Sequence, residues 1–296
     1  MARGKCVAGA GMNAPSRALL PESRLHLQHG PIDLVIEVWA ERREVELAYE
    51  QAWARFQDIL PTLVTELSLL RAPLREPYPL ARGPVARRMI AACWPHRGVF
   101  ITPMAAVAGA VADELLAALL AGRALARAYV NDGGDIALHI GPGEQFDAGI
   151  VNDPQRPELA ASVRIDADSP VRGVATSGWR GRSQSLGIAD AVTVLARTAA
   201  AADAAATLIA NAVDADHPSI RRLPARDVKH DSDLGDLPVT VAVGRLPPDT
   251  IAEALERGCA AAHAMRDAGL IEAAYVALQG ETRVAALLRH ERRLCA

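Results

Sequence analysis

Three short clusters of polar residues have the composition of ligand-binding sites. They are NDGGD at 131–135, ATSGWR at 175–180, and the pair Asp203 and Thr207. In the first cluster, Gly133 and Gly134 can adopt positive φ and leave backbone N–H groups uncovered, so that a phosphate or a ring edge can approach them. Asn131 and Asp135 flank that opening. The alternative interpretation is a tight turn between two strands, for which Asp-Gly is well suited.

The second cluster combines hydroxyl groups, a bare backbone and a guanidinium group directly after a strand-like segment. Its members are Thr176, Ser177, Gly178 and Arg180. Hydroxyl, exposed N–H and guanidinium groups together suit the recognition of phosphate. A plain surface loop is equally compatible with these residues, because arginine is common throughout the chain.

The third cluster lies on a predicted helix. Asp203, Thr207 and Asn211 are spaced i, i+4 and i+8, so they form one polar stripe on a helix that otherwise consists mainly of alanine. Oxygen ligands of this kind suit a hard cation such as Mg²⁺. Two side chains cannot complete octahedral coordination, so carbonyl groups, water or a substrate phosphate would supply the remaining ligands. A solvent-exposed stripe is the alternative interpretation.

Residues typical of nucleophilic catalysis and of zinc sites lack the expected spacing. None of the eight histidines belongs to an HxxxH or HExxH arrangement. Ser177 is not part of a GxSxG turn, and Cys93 has no identifiable partner. Nucleophilic catalysis therefore cannot be argued from the sequence.

The composition limits the classes of protein and partner. Half of the 296 residues are apolar but only 4% are aromatic, so the core must consist mainly of Ala, Val, Leu and Ile. The net charge of −3, with basic and acidic residues interspersed, argues against nucleic acid as a partner. Four cysteines without a CxxC pair and an N-terminus without an apolar signal segment predict a cytoplasmic protein.

The most membrane-like segment is 104–121. It carries Asp113 and Glu114 near its middle, so spanning a bilayer would be costly. We therefore expect a buried helix and no membrane partner.

The elements that must position the clusters are predicted from periodicity and turn residues. A helix at 198–213 carries the third cluster, and Thr102 with Pro103 begins another helix that ends at Gly122. Further helices are predicted at 41–59 and 248–268, strands at 32–38, 127–130, 136–140, 146–151, 162–165, 173–176, 191–195 and 239–243, and a hairpin at 272–278 and 282–287.

This mixture of elements predicts an α+β fold with a mainly antiparallel sheet and packed alanine-rich helices. Residues 1–24 are rich in Gly, Pro, Ser and Arg without periodicity and are predicted to be a flexible leader. Residues 25–296 are predicted to form one compact unit of two closely joined lobes. The Pro- and Arg-rich stretch 71–84 and the charged stretch 214–236 are predicted as loops.

The clusters, in this order, resemble the flavin transferases of the ApbE family, which attach FMN from FAD to a protein threonine. The matching segments are AYVNDGGDIALHI at 128–140, GVATSGW at 173–179, DAVTVLA at 190–196 and ADAAAT at 202–207. The resemblance implies that Asp203 and Thr207 bind magnesium. It also implies that FAD, or a related nucleotide, is bound by Asn131, Gly133, Gly134, Asp135, Thr176, Ser177 and Gly178.

From about Ile32 onward, the chain is more similar to a shorter, uncharacterised ApbE-like branch of this superfamily. This resemblance rests on ITPMAAVAGAVAD at 101–113 and GRSQSLGIAD at 181–190. It adds Met104, Gly109, Ser183 and Ser185 to the candidate cofactor-binding residues. The segment 183–190 lacks the His, Pro and Thr that the flavin transferases carry between the same two strands, and the N-terminal portion lacks their longer nucleotide-embracing segment.

The resemblance implies a magnesium-dependent enzyme or binding protein for a flavin or a related pyrophosphate-containing cofactor. Two alternatives stay open: a cofactor-biosynthesis enzyme of pterin type in one-carbon metabolism, and a non-catalytic protein that binds or delivers a flavin or nucleotide. A structural remnant without a ligand is a further possibility. A homo-oligomer is compatible with each.

These hypotheses imply a geometry. We expect 131–135, 176–180 and the 203/207 face of the helix to converge on one pocket. We also expect 102–109 to pack beside that pocket, and Gly109→Leu to block ligand binding more than it harms folding.

Overall fold

The computed structural model describes residues 14–153, 155–286 and 294–295. Its strands, in chain order, are β1 (Ser16–Leu19), β2 (Leu25–His29), β3 (Ile32–Trp39), β4 (Arg127–Asp132), β5 (Asp135–Ile140), β6 (Gln145–Val151), β7 (Leu159–Asp166), β8 (Gly173–Ser177), β9 (Ala191–Ala196), β10 (Ile220–Pro224), β11 (Pro238–Val243), β12 (Ala273–Leu278), β13 (Glu281–Ala286) and β14 (Leu294–Cys295). Its helices are α1 (Arg42–Phe56), α2 (Ile59–Thr65), α3 (Leu67–Leu70), α4 (Pro84–Cys93), α5 (Val107–Leu120), α6 (Ala199–Ala212), α7 (Ala225–Val228) and α8 (Pro248–Asp267).

A nine-stranded sheet organises the protein. Its order is β1-β2-β3-β4-β5-β8-β9-β12-β13, and every neighbouring pair is antiparallel. Helices α1, α5, α6 and α8 pack against one face, which we call the helix face. A second sheet, of order β14-β7-β6, packs apolar side chains against the opposite face, which we call the sheet face. The fold class predicted from the sequence is confirmed.

Alternation along the strands decides which face each side chain reaches. On β4, Ala128 and Val130 belong to the core under the helices, whereas Tyr129 packs toward the second sheet. On β8, Ala175 points to the helices and Val174 to the second sheet. Asp132 and Asp135 at the ends of β4 and β5 continue the helix-face register.

Two apolar cores lie on the helix face. One is built mainly from residues 25–137 and the other from residues 175–285, and α6 contributes to both. Between them the sheet is continuous through the pairing of β5 with β8. That ladder contains two residue pairs, Ile136 with Val174 and Ala137 with Gly173.

The backbone packs very closely against helix α6 at three glycines outside that helix. A Cβ atom at Gly109 would lie 2.3 Å from the carbonyl oxygen of Ala199, and one at Gly187 would lie 2.1 Å from that of Ala210. A Cβ atom at Gly173 would lie 2.1 Å from the carbonyl carbon of Thr198. The glycines and the alanines of α6 therefore allow helices and strands to approach more closely than larger residues would permit.

Several predicted elements appear with small shifts in their bounds. The helix predicted at 198–213 is α6, the C-terminal hairpin is β12 and β13, and the helix predicted at 248–268 is α8. The helix predicted from Thr102 begins instead with a 3-10 turn, Pro103–Ala106, and continues as α5. The side chain of Thr102 does not cap that turn, because its hydroxyl group donates to Asp233.

Other elements were missed. Strand β1 lies within the predicted leader and pairs with β2, so regular structure begins at least by Ser16. Residues 1–13 of that leader lie outside the described part of the chain. The stretch predicted as a loop at 214–236 contains β10 and α7. All four side chains of β1 are exposed, so no apolar alternation marks it in the sequence.

The segment Pro103–Leu120 is long and apolar enough by composition to cross a membrane. Half of it is buried inside the protein, where α5 packs on β4, β5, α1 and α6. The expected buried helix is therefore observed.

Candidate functional site

A large cavity surrounds the end of the β4–β5 hairpin. Its volume is about 1090 Å³, and its walls come from both faces of the nine-stranded sheet. On the helix face it is lined by Asp132 and Asp135, and on the sheet face by Asn131 and Thr176. The hairpin therefore stands between two arms of one cavity.

The arm on the helix face has mostly apolar walls around its carboxylates. The apolar lining residues are Ile32, Leu60, Leu63, Val64, Leu67, Leu70, Met89, Met104, Val107 and Val111. The first turn of α5 therefore borders the cavity, as expected for 102–109. Gly109 itself does not line it, because this glycine faces the backbone of α6.

Burial raises the pKa of three aspartates near this arm, and the charge of Asp132 raises the pKa of the other two further. Burial raises the pKa of Asp132 to about 7, although the backbone N–H of Asp33 and the charge of Arg182 act in the opposite direction. Burial, together with the charges of Asp203 and Asp132, raises the pKa of Asp135 well above its usual range. Carboxylates that resist ionisation in this way lack enough neighbouring positive charge.

Asp203 lies directly behind Asp135. One of its carboxylate oxygens accepts a hydrogen bond from the N–H of Gly109 at 3.1 Å, and the N–H of Ala108 also donates to it. Although part of the Asp203 surface is reached by solvent, the dense surroundings raise its pKa to about 7. Asp203 does not line the cavity itself, but its charge acts on Asp135, which does.

Asp113 makes the converse contact. Its carboxylate on α5 accepts hydrogen bonds from the N–H groups of Ala199 and Ala200, each at 3.0 Å, and thus caps the N-terminus of α6. Asp203 on α6 caps the N-terminus of α5 in the same way. Each helix therefore stabilises the positive end of the other with an aspartate.

The polar stripe of α6 is not a solvent-exposed face. Asp203 contacts α5, and Asn211 accepts a hydrogen bond at 2.9 Å from the N–H of Leu186. Thr207 lies between them, partly buried, and outside the cavity lining. In the described ranges, no three His, Cys, Asp or Glu side chains converge as a metal site would require. A cation at Asp203 would therefore need Thr207, carbonyl groups, water or a ligand to complete its coordination.

The arm on the sheet face is lined by neutral polar and aromatic groups. The hydroxyl groups of Thr176 and Thr193 are 2.8 Å apart, and Tyr129 and Phe146 form an edge-to-face pair with ring centroids 6.2 Å apart. Asn152 donates to the hydroxyl group of Tyr275 at 3.1 Å, while its amide oxygen is buried without a partner. A neutral planar ring with hydrogen-bonding edges suits such walls.

The hairpin turn combines both interpretations of its sequence. The side-chain oxygen of Asn131 accepts from the N–H of Gly134 at 2.8 Å, which closes the turn. Gly133 and Gly134 have φ values of +66° and +115°, which favour glycine, and both line the cavity. The motif is a tight turn that also presents bare backbone to the cavity. The N–H of Thr176 on β8 donates to the carboxylate of Asp135, which connects the second cluster with the first.

Asp190 fixes the second cluster. It accepts from Nε1 of Trp179 at 3.2 Å and from Nε of Arg180 at 2.7 Å, and its other oxygen accepts from the N–H of Gln279. Arg180 also stacks on the ring of Trp179. Because its guanidinium group is already paired, Arg180 is less available to a ligand phosphate than the sequence suggested. Ser177, Gly178, Arg180 and Ser183 line the cavity.

Ser185 was predicted to bind the cofactor, but its surroundings in the structure are those of a structural residue. It is 3% exposed and does not line the cavity. Its hydroxyl group contacts Asn211 at 3.3 Å and accepts from the N–H of Gly187. Ser185 therefore anchors the loop before β9 to α6.

A sequence profile of a protein family described as AbpE bacteria matches residues 17–284 of the chain. The match covers most of the sequence and includes all of the site. The chain belongs to this family.

Relatives of this AbpE-family chain include uncharacterised UPF0280 proteins of archaea. The one from Methanosphaerula palustris is 36% identical over 176 residues, which cover 56% of this chain and 72% of the relative. The one from Methanocaldococcus jannaschii is 39% identical over 113 residues, 38% of this chain and 45% of the relative. The chain spans about half the length of the first of these curated relatives. The predicted membership of an uncharacterised ApbE-like family is thus confirmed.

Solved structures whose chain fold is similar include two flavin transferases. A variant of the flavin transferase ApbE from Vibrio cholerae has a TM-score of 0.45 and 12% identity and covers 95% of this chain and 100% of its own. The flavinyl transferase ApbE from Pseudomonas stutzeri has a TM-score of 0.43 and 13% identity and covers 95% of this chain and 97% of its own.

The AbpE-family site also contains residues that sequence reasoning missed. Asp132, Thr193, Asn152 and Lys229 all line the cavity. Alternation along β4 could have identified Asp132, because it shares the buried face with Val130. Thr193 lies in the segment DAVTVLA at 190–196, where it is a polar residue within an apolar strand. Asn152 and Lys229 come from segments without a motif, and only the fold brings them to the cavity.

Proposed function

We propose that this chain binds a flavin or a related nucleotide in the cavity, that magnesium bound at Asp203 and Thr207 offsets the phosphate charge, and that the bound ligand undergoes group transfer. The observation that carries the proposal is the set of three aspartates beside the cavity, Asp132, Asp135 and Asp203, whose pKa values are all raised by their dense surroundings. Such a set favours a cation that arrives with the ligand.

The donor set fits magnesium in kind. Carboxylate and hydroxyl oxygens are the ligands that magnesium prefers, and it commonly uses one or two carboxylates together with ligand phosphates. Asp203 keeps one oxygen on the N–H of Gly109, so a cation would use the other oxygen. Bound magnesium would supply positive charge that stabilises a phosphate as it gains negative charge.

The remaining residues have distinct tasks in this proposal. The N–H groups exposed at Gly133 and Gly134 approach a phosphate, and Thr176 with Thr193 offers hydroxyl groups to a ring. Asp132 lines the cavity with a pKa of about 7, which suits a group that accepts a proton near neutral pH. Pterin chemistry has no separate support in the geometry.

The first experiment titrates the purified protein with FAD at several magnesium concentrations. Asp203→Asn removes the anionic ligand but keeps a hydrogen-bond acceptor for the N–H of Gly109. We expect it to weaken magnesium-dependent FAD binding at least tenfold, about 1.4 kcal/mol. Thr207→Val should act in the same direction but less strongly, because it removes a neutral oxygen.

Asp113→Asn is the matched control. It removes the charge of the other helix-capping aspartate, which does not line the cavity and contributes little to the raised pKa of Asp203, so it should change the magnesium dependence far less than Asp203→Asn does. Chromatography for FMN and AMP after incubation tests transfer itself. Full magnesium-dependent binding by Asp203→Asn would rule out the metal assignment, and binding without any product would leave a binding or delivery protein.

A further inference from the structure

The charged residues that line the cavity are distributed unevenly. Among the described residues, its carboxylates are Asp132, Asp135, Asp147, Asp190 and Asp231, and its cations are Arg71, Arg180, Arg182 and Lys229. Three of these carboxylates have an arginine within ion-pair distance: Asp147 has Arg164, Asp190 has Arg180 and Asp231 has Arg71. Two carboxylates and two cations are left without such a pair.

The unpaired charges differ in exposure. Asp132 is buried and Asp135 partly buried, whereas Arg182 and Lys229 are exposed, and we call the exposed part of the cavity that they line its mouth. Arg182 lies beside the hairpin turn, because its Nη1 atom is 3.3 Å from the position of a Cβ atom at Gly133 and its charge acts on Asp132. The guanidinium group of Arg182 makes one long hydrogen bond, 3.4 Å, to the carbonyl oxygen of Pro31. Within the described ranges, the ammonium group of Lys229 forms neither an ion pair nor a hydrogen bond with a side chain.

The segment 229–236, which we call the strap, fixes Lys229 at this mouth. Three consecutive strap residues are hydrogen-bonded to three separate segments of the chain: Asp231 to Arg71 at 3.3 Å, Ser232 to Gln184, and Asp233 to Thr102 at 2.5 Å. The backbone of Lys229 is also held, because its N–H donates to Ala225 and its carbonyl oxygen accepts from Ser232. The strap therefore holds the Lys229 backbone while the side chain stays unpaired.

From this geometry we infer that the mouth of the cavity is a binding site for a terminal phosphate group, held by Lys229 and Arg182. A phosphate monoester carries nearly two negative charges at neutral pH, enough for both cations. The inference rests on the proposed function for the rest of the ligand. It narrows the ligand class to molecules that carry a ring inside the cavity and a phosphate group at the outer end. FMN has a phosphate monoester at that place, FAD has a pyrophosphate there, and riboflavin has neither.

The test compares FMN with riboflavin, which differ only in the terminal phosphate. We expect FMN to bind at least tenfold more tightly, and Lys229→Met to remove most of this advantage without changing the affinity for riboflavin. Lys229→Arg should retain the advantage, because it keeps the charge. Lys5→Met is the matched control, since Lys5 is the only other lysine in the sequence. An unchanged ratio of the two affinities in Lys229→Met would overturn the inference.

A second measurement does not require a variant to fold. Lysine acetylation followed by peptide mass spectrometry gives the modification rate of Lys229 relative to Lys5 in the same sample. FMN should slow the modification of Lys229 while riboflavin should not, and equal effects of the two flavins would contradict the inference.

If neither flavin binds, the proposed flavin site is wrong, and inorganic pyrophosphate then decides the inference alone. Slower modification of Lys229 relative to Lys5 in pyrophosphate supports the phosphate site. An unchanged ratio of the two rates overturns it.

Discussion

Two helix ends in this protein have the same chemistry and different surroundings. The N-terminus of α6 is capped by Asp113 from α5, and the N-terminus of α5 is capped by Asp203 from α6. The capped end of α6 lies in the packed interior, with Ala199 fully buried against Gly109. The capped end of α5 borders the cavity through Met104, Val107 and Ala108.

The difference separates a structural aspartate from a candidate functional one. Both carboxylates satisfy backbone N–H groups and both have raised pKa values because of burial. Only Asp203 acts electrostatically on Asp135 in the cavity wall. A raised pKa alone therefore does not identify a functional residue, and the neighbouring cavity supplies the distinction.

The largest expected effect is at Gly109, where the two helix ends meet. A Cβ atom there would lie 2.3 Å from the carbonyl oxygen of Ala199. This clash is with backbone, so no side-chain rotation can relieve it. We expect Gly109→Ala to reduce the free energy of unfolding by about 3 kcal/mol or more. Gly98→Ala is the control, because no atom lies within 4 Å of a Cβ built there. Urea denaturation measures both, and similar midpoints would show that α5 and α6 can separate at no cost.

This geometry changes one expectation from the sequence. Gly109→Leu was expected to block ligand binding more than folding, but Gly109 faces α6 rather than the cavity. We now expect the leucine variant to lose stability first.

The second prediction concerns the cap in the interior. Asp113→Ala leaves the N–H groups of Ala199 and Ala200 without acceptors in a buried environment. We expect a loss of about 2 kcal/mol in the free energy of unfolding. Asp113→Asn should lose less, since its amide oxygen can still accept one of the two bonds. Thermal denaturation in parallel with Asp203→Asn tests the comparison, and a stable Asp113→Ala protein would contradict the structural role.

The third prediction uses pH. The pKa of Asp132 is raised from 3.8 to about 7, so the folded state favours its protonated form. Its contribution to stability is therefore lost as pH rises from about 4 to about 7, and the loss persists above that pH. At pH 8 without magnesium, Asp132→Asn should be more stable than the parent by on the order of 2–4 kcal/mol, and at pH 4 the two should be equal.

Asp168→Asn is the control for this pH profile, because Asp168 is an exposed aspartate that does not line the cavity. Denaturation midpoints between pH 4 and pH 8 give the profile. A parallel pH dependence of the parent and Asp132→Asn would mean that Asp132 is ionised in the folded protein at no cost.

The smallest effect is expected on the sheet face. Thr176→Val removes one of two hydroxyl groups that are 2.8 Å apart and leaves Thr193 without that partner. We expect flavin binding to weaken by about 1 kcal/mol, while the dependence on magnesium stays as in the parent. Isothermal titration at two magnesium concentrations separates the two quantities. A lost magnesium dependence would show that the two arms of the cavity are not independent.

The sequence predicted the elements whose signals are local. Asp-Gly in NDGGD predicted the β4–β5 hairpin, and the alanine-rich segment predicted α6 within one residue at each end. The residues of the three polar clusters and their order along the chain predicted the family, and the profile match confirms it. Within the nine-stranded sheet, short connections join only the pairs β1–β2, β2–β3, β4–β5 and β12–β13, whereas the pairings of β3 with β4, β5 with β8 and β9 with β12 depend on the fold.

Features that depend on distant contacts could not be predicted in this way. Asp113 was interpreted only as a charge that opposes membrane insertion, because its acceptor role depends on α6, which is 86 residues away. Ser185 was assigned to the ligand from a motif, but its partner Asn211 makes it an anchor of a loop. The strap was predicted as a plain loop, since nothing near Asp233 in the sequence indicates that Thr102 is its partner.

The short ladder between β5 and β8 has a consequence for folding kinetics. Each half of the chain supplies most of one apolar core, α6 contributes to both cores, and the sheet joins the halves through two residue pairs only. Units with separate cores tend to form before they dock, so we expect docking to be the late step of refolding. Asp135 comes from one half and Asp203 from the other, and their interaction exists only after docking. In a refolding experiment, recovered ligand binding should therefore lag behind recovered far-ultraviolet circular dichroism.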